Sequence, residues 1–180
     1  RILLDNVFEK SNFRNEIIWS YRSGGASKKE SLPRKHDNIN LFSNSKSFEV
    51  KTKYERQYLE KSFMGSKIDQ NGKYYVDTLL RDVIEGNIPI VGDKQQILHY
   101  NTRPVLNLSK ERLGFDTQKP EGLMRLLFDL TLDKTHRNLV ADFFSGSATT
   151  VSTAHKSGHN WLGVEVGEHF YNLNIPRLKN

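Results

Sequence analysis

Residues 138–166, NLVADFFSGSATTVSTAHKSGHNWLGVEV, leave a chain few choices of fold. An apolar run of strand length, 138–144, carries one acid, Asp142, and enters a turn of small residues at 145–148. Residues 149–158 then read as a helix closed by a glycine, and 160–166 as a second strand. Strand, tight turn, helix and strand make the start of a βαβ unit, so the expected class is α/β. Glu165 stands 23 positions after Asp142, at the end of the second strand. A dinucleotide-binding unit places its ribose-binding acid about 20 residues beyond the glycine turn.

Such sites share one physical logic. A small-residue turn lets a ligand approach the backbone, the helix start offers unpaired N–H donors, and the carboxylate accepts hydrogen bonds from ribose hydroxyls. Gly146 stands alone where a dinucleotide fingerprint wants three glycines, so a pyrophosphate has little room. That favours a nucleoside without one, S-adenosylmethionine above all. An ordinary crossover with a glycine turn remains open from this segment alone.

Upstream, FDTQKPEGLMRLLFDLTLDK (115–134) reads as a helix whose apolar stripe is Leu123, Met124, Leu126, Leu127 and Leu130. Pro120 suits the first helical position, and Thr117, Gln118 and Lys119 bring two neutral polar groups and a cation to the same end. A helix start with a lysine beside it favours a carboxylate, with plain capping as the alternative.

At the other end, 1–9 reads as an amphipathic helix through Ile2, Leu3, Leu4, Val7 and Phe8, and it looks cut in its middle. Residues 15–22 and 38–45 read as strands, and the Gly-, Ser- and Lys-rich 23–37 as a mobile basic loop. Residues 46–115 change character: charges and tyrosines dominate, and QNGK at 70–73 marks a hairpin tip. A net charge of +6 favours an anionic partner. Zero cysteines exclude disulfides and thiolate metal sites, which fits a reducing cytoplasm. No run approaches the roughly 18 apolar residues of a membrane span.

TQKP, DFFSGSATT and GVEV, in this order, resemble the amino-methylating DNA methyltransferases whose catalytic half precedes the cofactor half. ILLDNVFEKSNFRNEIIWSYRSGGASK, RKHDNINLFSNS, LRDV and SKERLGFDTQKPEGLM look like the modification subunit of type III restriction–modification systems. The resemblance implies a partial Rossmann-like S-adenosylmethionine-dependent methyltransferase sheet with an inserted target-recognition lobe. Residues 1–45 would end the catalytic half, 46–115 form the lobe, and 116–180 the cofactor half. It further implies methyl transfer to the amino group of adenine in double-stranded DNA, with cytosine as the alternative base. The full-length protein would be a homodimer partnered by a restriction (helicase/nuclease) subunit.

Carried over by position, the resemblance makes Asp142, Phe144, Ser145, Gly146, Ser147 and Thr149 the cofactor loop, with Asp142 near the methionine amino group. Glu165 would hold the ribose hydroxyls, and Thr117, Gln118, Lys119 and Pro120 the methionine carboxylate. Lys28, Lys29, Arg34 and Lys35 would contact DNA phosphates, while His36 is one loop histidine without a partner. Three positions depart from the family pattern. Phe143 replaces a proline and Ala148 a glycine, which is expected to stiffen or crowd the turn, and Asp116 stands where many members have proline. The family's catalytic D-P-P-Y-like tetrapeptide has no counterpart. The prolines are Pro33, Pro89, Pro104, Pro120 and Pro176, and no two are adjacent. The chain therefore reads as an enzyme fragment with its methyl-donor pocket and no catalytic residue, or as a non-catalytic piece that binds DNA or a partner subunit. A nicotinamide-dependent oxidoreductase is the third reading.

Overall fold

The computed structural model describes residues 1–22 and 31–179. Lys28 and Lys29 of the basic cluster lie outside the described residues. The chain divides into two compact units, Arg1–Tyr100 and Asn101–Asn180.

In the first unit α1 (Ile2–Phe8) leads through a short 3-10 turn into β1 (Phe13–Ser20). β2 (His36–Phe42) returns antiparallel to β1, with Ile17 opposite Ile39 and Ser20 opposite His36. His36 and Asp37, expected in the basic loop, are strand residues, and residues 23–30 of that loop lie outside the described residues. His36 belongs to a strand, because Asp37 to Leu41 complete the ladder to β1 and the pairing runs on to His36. Ile17 and Trp19 alternate onto the buried face of β1, the two-residue period of a half-buried strand.

β3 (Tyr54–Leu59), β4 (Lys67–Ile68), β5 (Tyr74–Leu79), β6 (Val83–Glu85), β7 (Asn87–Val91) and β8 (Ile97–Asn101) follow. Five of them make a sheet in the order β4-β5-β3-β7-β8, while β6 leaves it to pair in parallel with β1. The turn between β4 and β5 is the expected hairpin tip. The Asp69 carboxylate accepts the Asn71 and Lys73 N–H groups at 2.8 and 2.9 Å, and Gly72 takes the left-handed conformation that the turn needs. Across β3 and β5, Arg56 forks onto both Asp77 oxygens at 2.8 and 2.9 Å and lies 3.7 Å from the centre of the Tyr75 ring.

The second unit is the expected βαβ start with a helix before it. α2 (Glu121–Thr131) buries Leu123, Leu126 and Leu130, the core line of its predicted stripe. Pro120 sits one residue outside the helix, with extended backbone. β9 (Leu139–Asp142) runs parallel to β10 (Asn160–Gly163), with α3 (Thr149–Lys156) between them in sequence. Val140, Val151 and Ala154 join the α2 leucines in the core. The chain then forms a π-helical turn, Phe170–Asn174, before α4 (Ile175–Lys179). Pro176 supplies a cause for the widened turn: it lacks the N–H that an α-helix would aim four residues back, and its ring crowds that carbonyl. No helix among the described residues is long and apolar enough to cross a membrane.

Arg56 and Asp77 are only 8% and 16% exposed, so each charge depends on the other for compensation. Asp77→Ala leaves the guanidinium buried and unpaired, and is expected to lower the unfolding free energy by about 3 kcal/mol in urea titrations.

Candidate functional site

The turn between β9 and α3 is constrained by backbone conformation and by hydrogen bonds. Gly146 and Ala148 both adopt left-handed backbone, at φ 51° and 59°. Ala148 is the position where the resembled family has its second glycine, and the backbone gives the reason: a left-handed residue costs a side-chain-bearing amino acid roughly 1 kcal/mol. Hydrogen bonds offset that cost. Ser145 N–H donates to the Val164 carbonyl at 2.9 Å, Ala148 N–H to the Ser145 carbonyl at 2.7 Å, and Ser145 Oγ to the Asp142 carbonyl at 2.9 Å. Asp142 accepts the Phe144 N–H at 3.1 Å, which fixes the start of the turn. β10 passes close beneath: a Cβ at Gly163 would lie 2.9 Å from Ser145 Oγ and 3.1 Å from a Val151 methyl.

Glu165 closes the turn from the next strand end. One carboxylate oxygen accepts the Gly146 N–H at 2.7 Å and the other the Gly167 N–H at 2.8 Å. The N–H groups of Gly167 and Gly146 hold this carboxyl below the ordinary glutamate value. His169 lies one helical spacing further on, its Nε2 3.1 Å from the Gly146 carbonyl and 3.6 Å from Glu165. Its ring packs on Phe115 at 4.8 Å between centroids, and Phe115 would stand 3.3 Å from a Cβ on Gly146.

The TQKP segment reaches the same turn. Thr149 Oγ1 donates to the Lys119 carbonyl at 3.0 Å, tying the start of α3 to the residues ahead of α2. A cavity of about 220 Å³ lies there, lined by Thr117 and Lys119, by Asp142, Phe144, Ser145, Gly146, Ser147 and Thr149, and by Phe115 and Thr150. Two of the four TQKP residues face elsewhere. Pro120 is buried, and the amide of Gln118, 5% exposed, accepts the Leu113 N–H at 2.9 Å and donates to the Glu111 carbonyl at 2.5 Å. Gln118 thereby clamps the incoming loop. The helix start already holds a carboxylate of the chain itself, since Glu121 N–H donates to Glu111 at 3.0 Å.

Phe143 and Ala148 do not crowd this cavity. Neither lines it; Phe143 is largely exposed, and the Ala148 methyl is buried in the core. Glu111, Phe115, Thr150, His169 and Arg177 take part in or around the turn without having been singled out from the sequence. His169 had a signal, its spacing of four from Glu165. Arg177, which donates to the Ser147 carbonyl at 2.7 Å, had none. In the first unit, Arg34 is exposed and its Nε donates to the His36 carbonyl at 3.1 Å, while the Lys35 carbonyl accepts the Tyr21 N–H at 2.9 Å.

The chain is similar to several known proteins. The "Probable type III restriction-modification enzyme HindVI Mod subunit" of Haemophilus influenzae is 36% identical over 76 residues, 41% of this chain and 10% of that protein. The type II methyltransferase M1.MboII of Moraxella bovis is 27% identical over 89% of the chain and 60% of its own length. The DNA adenine methyltransferase YhdJ of Escherichia coli is 25% identical over 92% and 52% respectively. The chain thus spans between a tenth and three-fifths of these relatives. The crystal structure of the M1.HpyAVI–SAM complex superposes with a TM-score of 0.52 over 99% of this chain and 69% of that one, at 13% identity, which is a likeness of fold. The model of the N6/N4 DNA methylases matches residues 1–175, and the chain belongs to that DNA methylase family.

Proposed function

We propose that the second unit is the methyl-donor half of a DNA adenine methyltransferase and binds S-adenosylmethionine at the Gly146 turn. One observation carries this reading: Thr117 and Lys119 of TQKP line one cavity with the β9–α3 turn, and Glu165, which is not among its lining residues, binds the N–H of Gly146 in that turn. The M1.HpyAVI crystal structure, of similar fold, is a complex with SAM, which supports the same ligand here.

The donor set fits such a ligand. Glu165 uses one lone pair of each oxygen on backbone N–H groups, leaving acceptor capacity for a ribose diol. Asp142 lines the cavity as an acceptor for an amino group, and Lys119 and Thr117 line it as partners for a carboxylate. The bound donor supplies an electrophilic methyl on a sulfonium. The chain's own residues hold, orient and desolvate; none of them is proposed to move a proton.

The base and the setting follow from the relatives. Adenine is favoured because the E. coli relative carries that specificity in its name, and a restriction–modification role because of the Mod-subunit relative. In this proposal double-stranded DNA is the substrate, residues 46–115 supply target recognition, and Arg34 and Lys35 lie on the DNA-facing side. A homodimer with a restriction subunit is the proposed assembly of the whole protein. With no adjacent prolines, the chain lacks a D-P-P-Y-like tetrapeptide to grip the target amino group. It is proposed to bind the methyl donor without turning it over.

Equilibrium dialysis checks the ligand. S-adenosylmethionine is expected to bind and NAD to bind more weakly, with Glu165→Ala costing about tenfold in affinity, the worth of one charge-assisted hydrogen bond. Preferential NAD binding would sink the assignment. Tritium transfer from labelled donor to DNA is expected to be nil for this chain alone, and clear incorporation would overturn its proposed inactivity.

Glu165 also predicts an acid sensitivity without ligand. Its folded value lies below the ordinary 4.5, so its contribution is present above about pH 4.5 and is lost as pH falls through the folded value. Thermal melts across the acid range should show wild type and Glu165→Gln differing most above that point and converging below it.

A further inference from the structure

The geometry points to Arg177 as the positioning residue of the cofactor turn, acting on the ligand through the Ser147 carbonyl. This inference rests on the donor-binding reading above for its effect on affinity, but not for its effect on the turn.

Arg177 lies on α4, and its side chain is 6% exposed. Its Nη1 donates to the Ser147 carbonyl at 2.7 Å and approaches Thr149 Oγ1 at 3.1 Å, while Nη2 donates to Glu121 at 2.8 Å. The guanidinium therefore joins three elements: the turn, the first residue of α3 and the first residue of α2. A rigid planar fork can do this, and a single ammonium cannot reach both ends with the same geometry. Glu121 is itself a hub. Burial pushes its carboxyl up, but Lys156, at 2.8 Å, and Arg177 together hold it below the ordinary glutamate value.

The Ser147 carbonyl is the handle that matters. It belongs to the peptide unit that ends in Ala148 N–H, and that N–H closes the turn on the Ser145 carbonyl at 2.7 Å. Fixing this peptide plane sets the left-handed conformation of Ala148 and the presentation of Ser147 and Thr149 to the cavity. Arg177 touches the turn from outside: it is not among the residues that line that cavity. Without Arg177 the carbonyl loses its partner and the strained alanine loses its restraint.

Two roles must be separated, since Arg177 also neutralises Glu121. In the double variant Arg177→Met with Glu121→Gln the charge imbalance is gone, and stability is expected to recover relative to Arg177→Met alone. Turn positioning is not restored. Amide exchange of Ala148 in the ligand-free chain should be faster by about tenfold in both variants, measured against the α2 interior, and S-adenosylmethionine affinity weaker by a similar factor. Should the single variant fail to fold, the double variant and Arg177→Lys, which keeps a cation for Glu121, carry the same measurements. Unchanged Ala148 exchange in the double variant, or affinity back at the wild-type level, would reduce Arg177 to a structural ion pair and overturn the inference. If the unmodified chain binds no S-adenosylmethionine, the proposed function fails, and the exchange measurement still decides the role of Arg177.

Discussion

The bond from Gly146 N–H to the Glu165 carboxylate, 2.7 Å long, ties the end of the β10 segment to the turn that follows β9. Around it nearly every polar group of the turn is claimed from a different direction. Val164 takes the Ser145 N–H, His169 faces the Gly146 carbonyl, Arg177 holds the Ser147 carbonyl, and Thr149 reaches back to Lys119. A buried backbone group without a partner is costly, and a turn with two left-handed residues cannot satisfy itself through a ladder. The surroundings must do it, and in doing so they bring the acid, the lysine and the glycine into one neighbourhood. In the proposed function, the contacts that stabilise the turn are also those that assemble the ligand site.

That coupling explains what was legible in the sequence. The apolar period of α2, the small-residue turn and the glycine after α3 depend on neighbours within a few residues, and each lies where its local pattern put it. Strand ends were less legible: β9 and β10 stop at Asp142 and Gly163, short of the apolar runs that suggested them, because pairing ends where the turn begins. Pro120 falls just before α2 for a similar reason. Its extended backbone carries the chain into the helix while Glu111 caps the first N–H.

What sequence did not disclose is contact made by returning chain. Gln118 reads as a ligand group beside a helix start, yet its amide is spent on Leu113 and Glu111, which no periodicity announces. Arg177 sits thirty residues from Ser147, in a segment whose composition resembles any short basic helix. In the first unit the QNGK tip follows from local turn chemistry, whereas the parallel pairing of Val83–Glu85 with Ile18–Ser20 depends on chain far apart in sequence. Locally encoded features can be read; features paid for by loop closure cannot.

The departure at Ala148 shows how the two kinds of information combine. By sequence alone, alanine in place of glycine beside a ligand turn points to crowding. In the structure its methyl is buried in the core, while the cavity is lined by the other residues of the turn. The substitution therefore adds no lining to the cavity and places its cost in backbone strain, where it is met by burial of that methyl and by the restraint on the preceding carbonyl. A glycine there would relax the strain and give up the packing. The alanine thus makes the turn more dependent on its outer contacts than a glycine would, and this dependence is why a residue as distant in sequence as Arg177 acquires influence over the site.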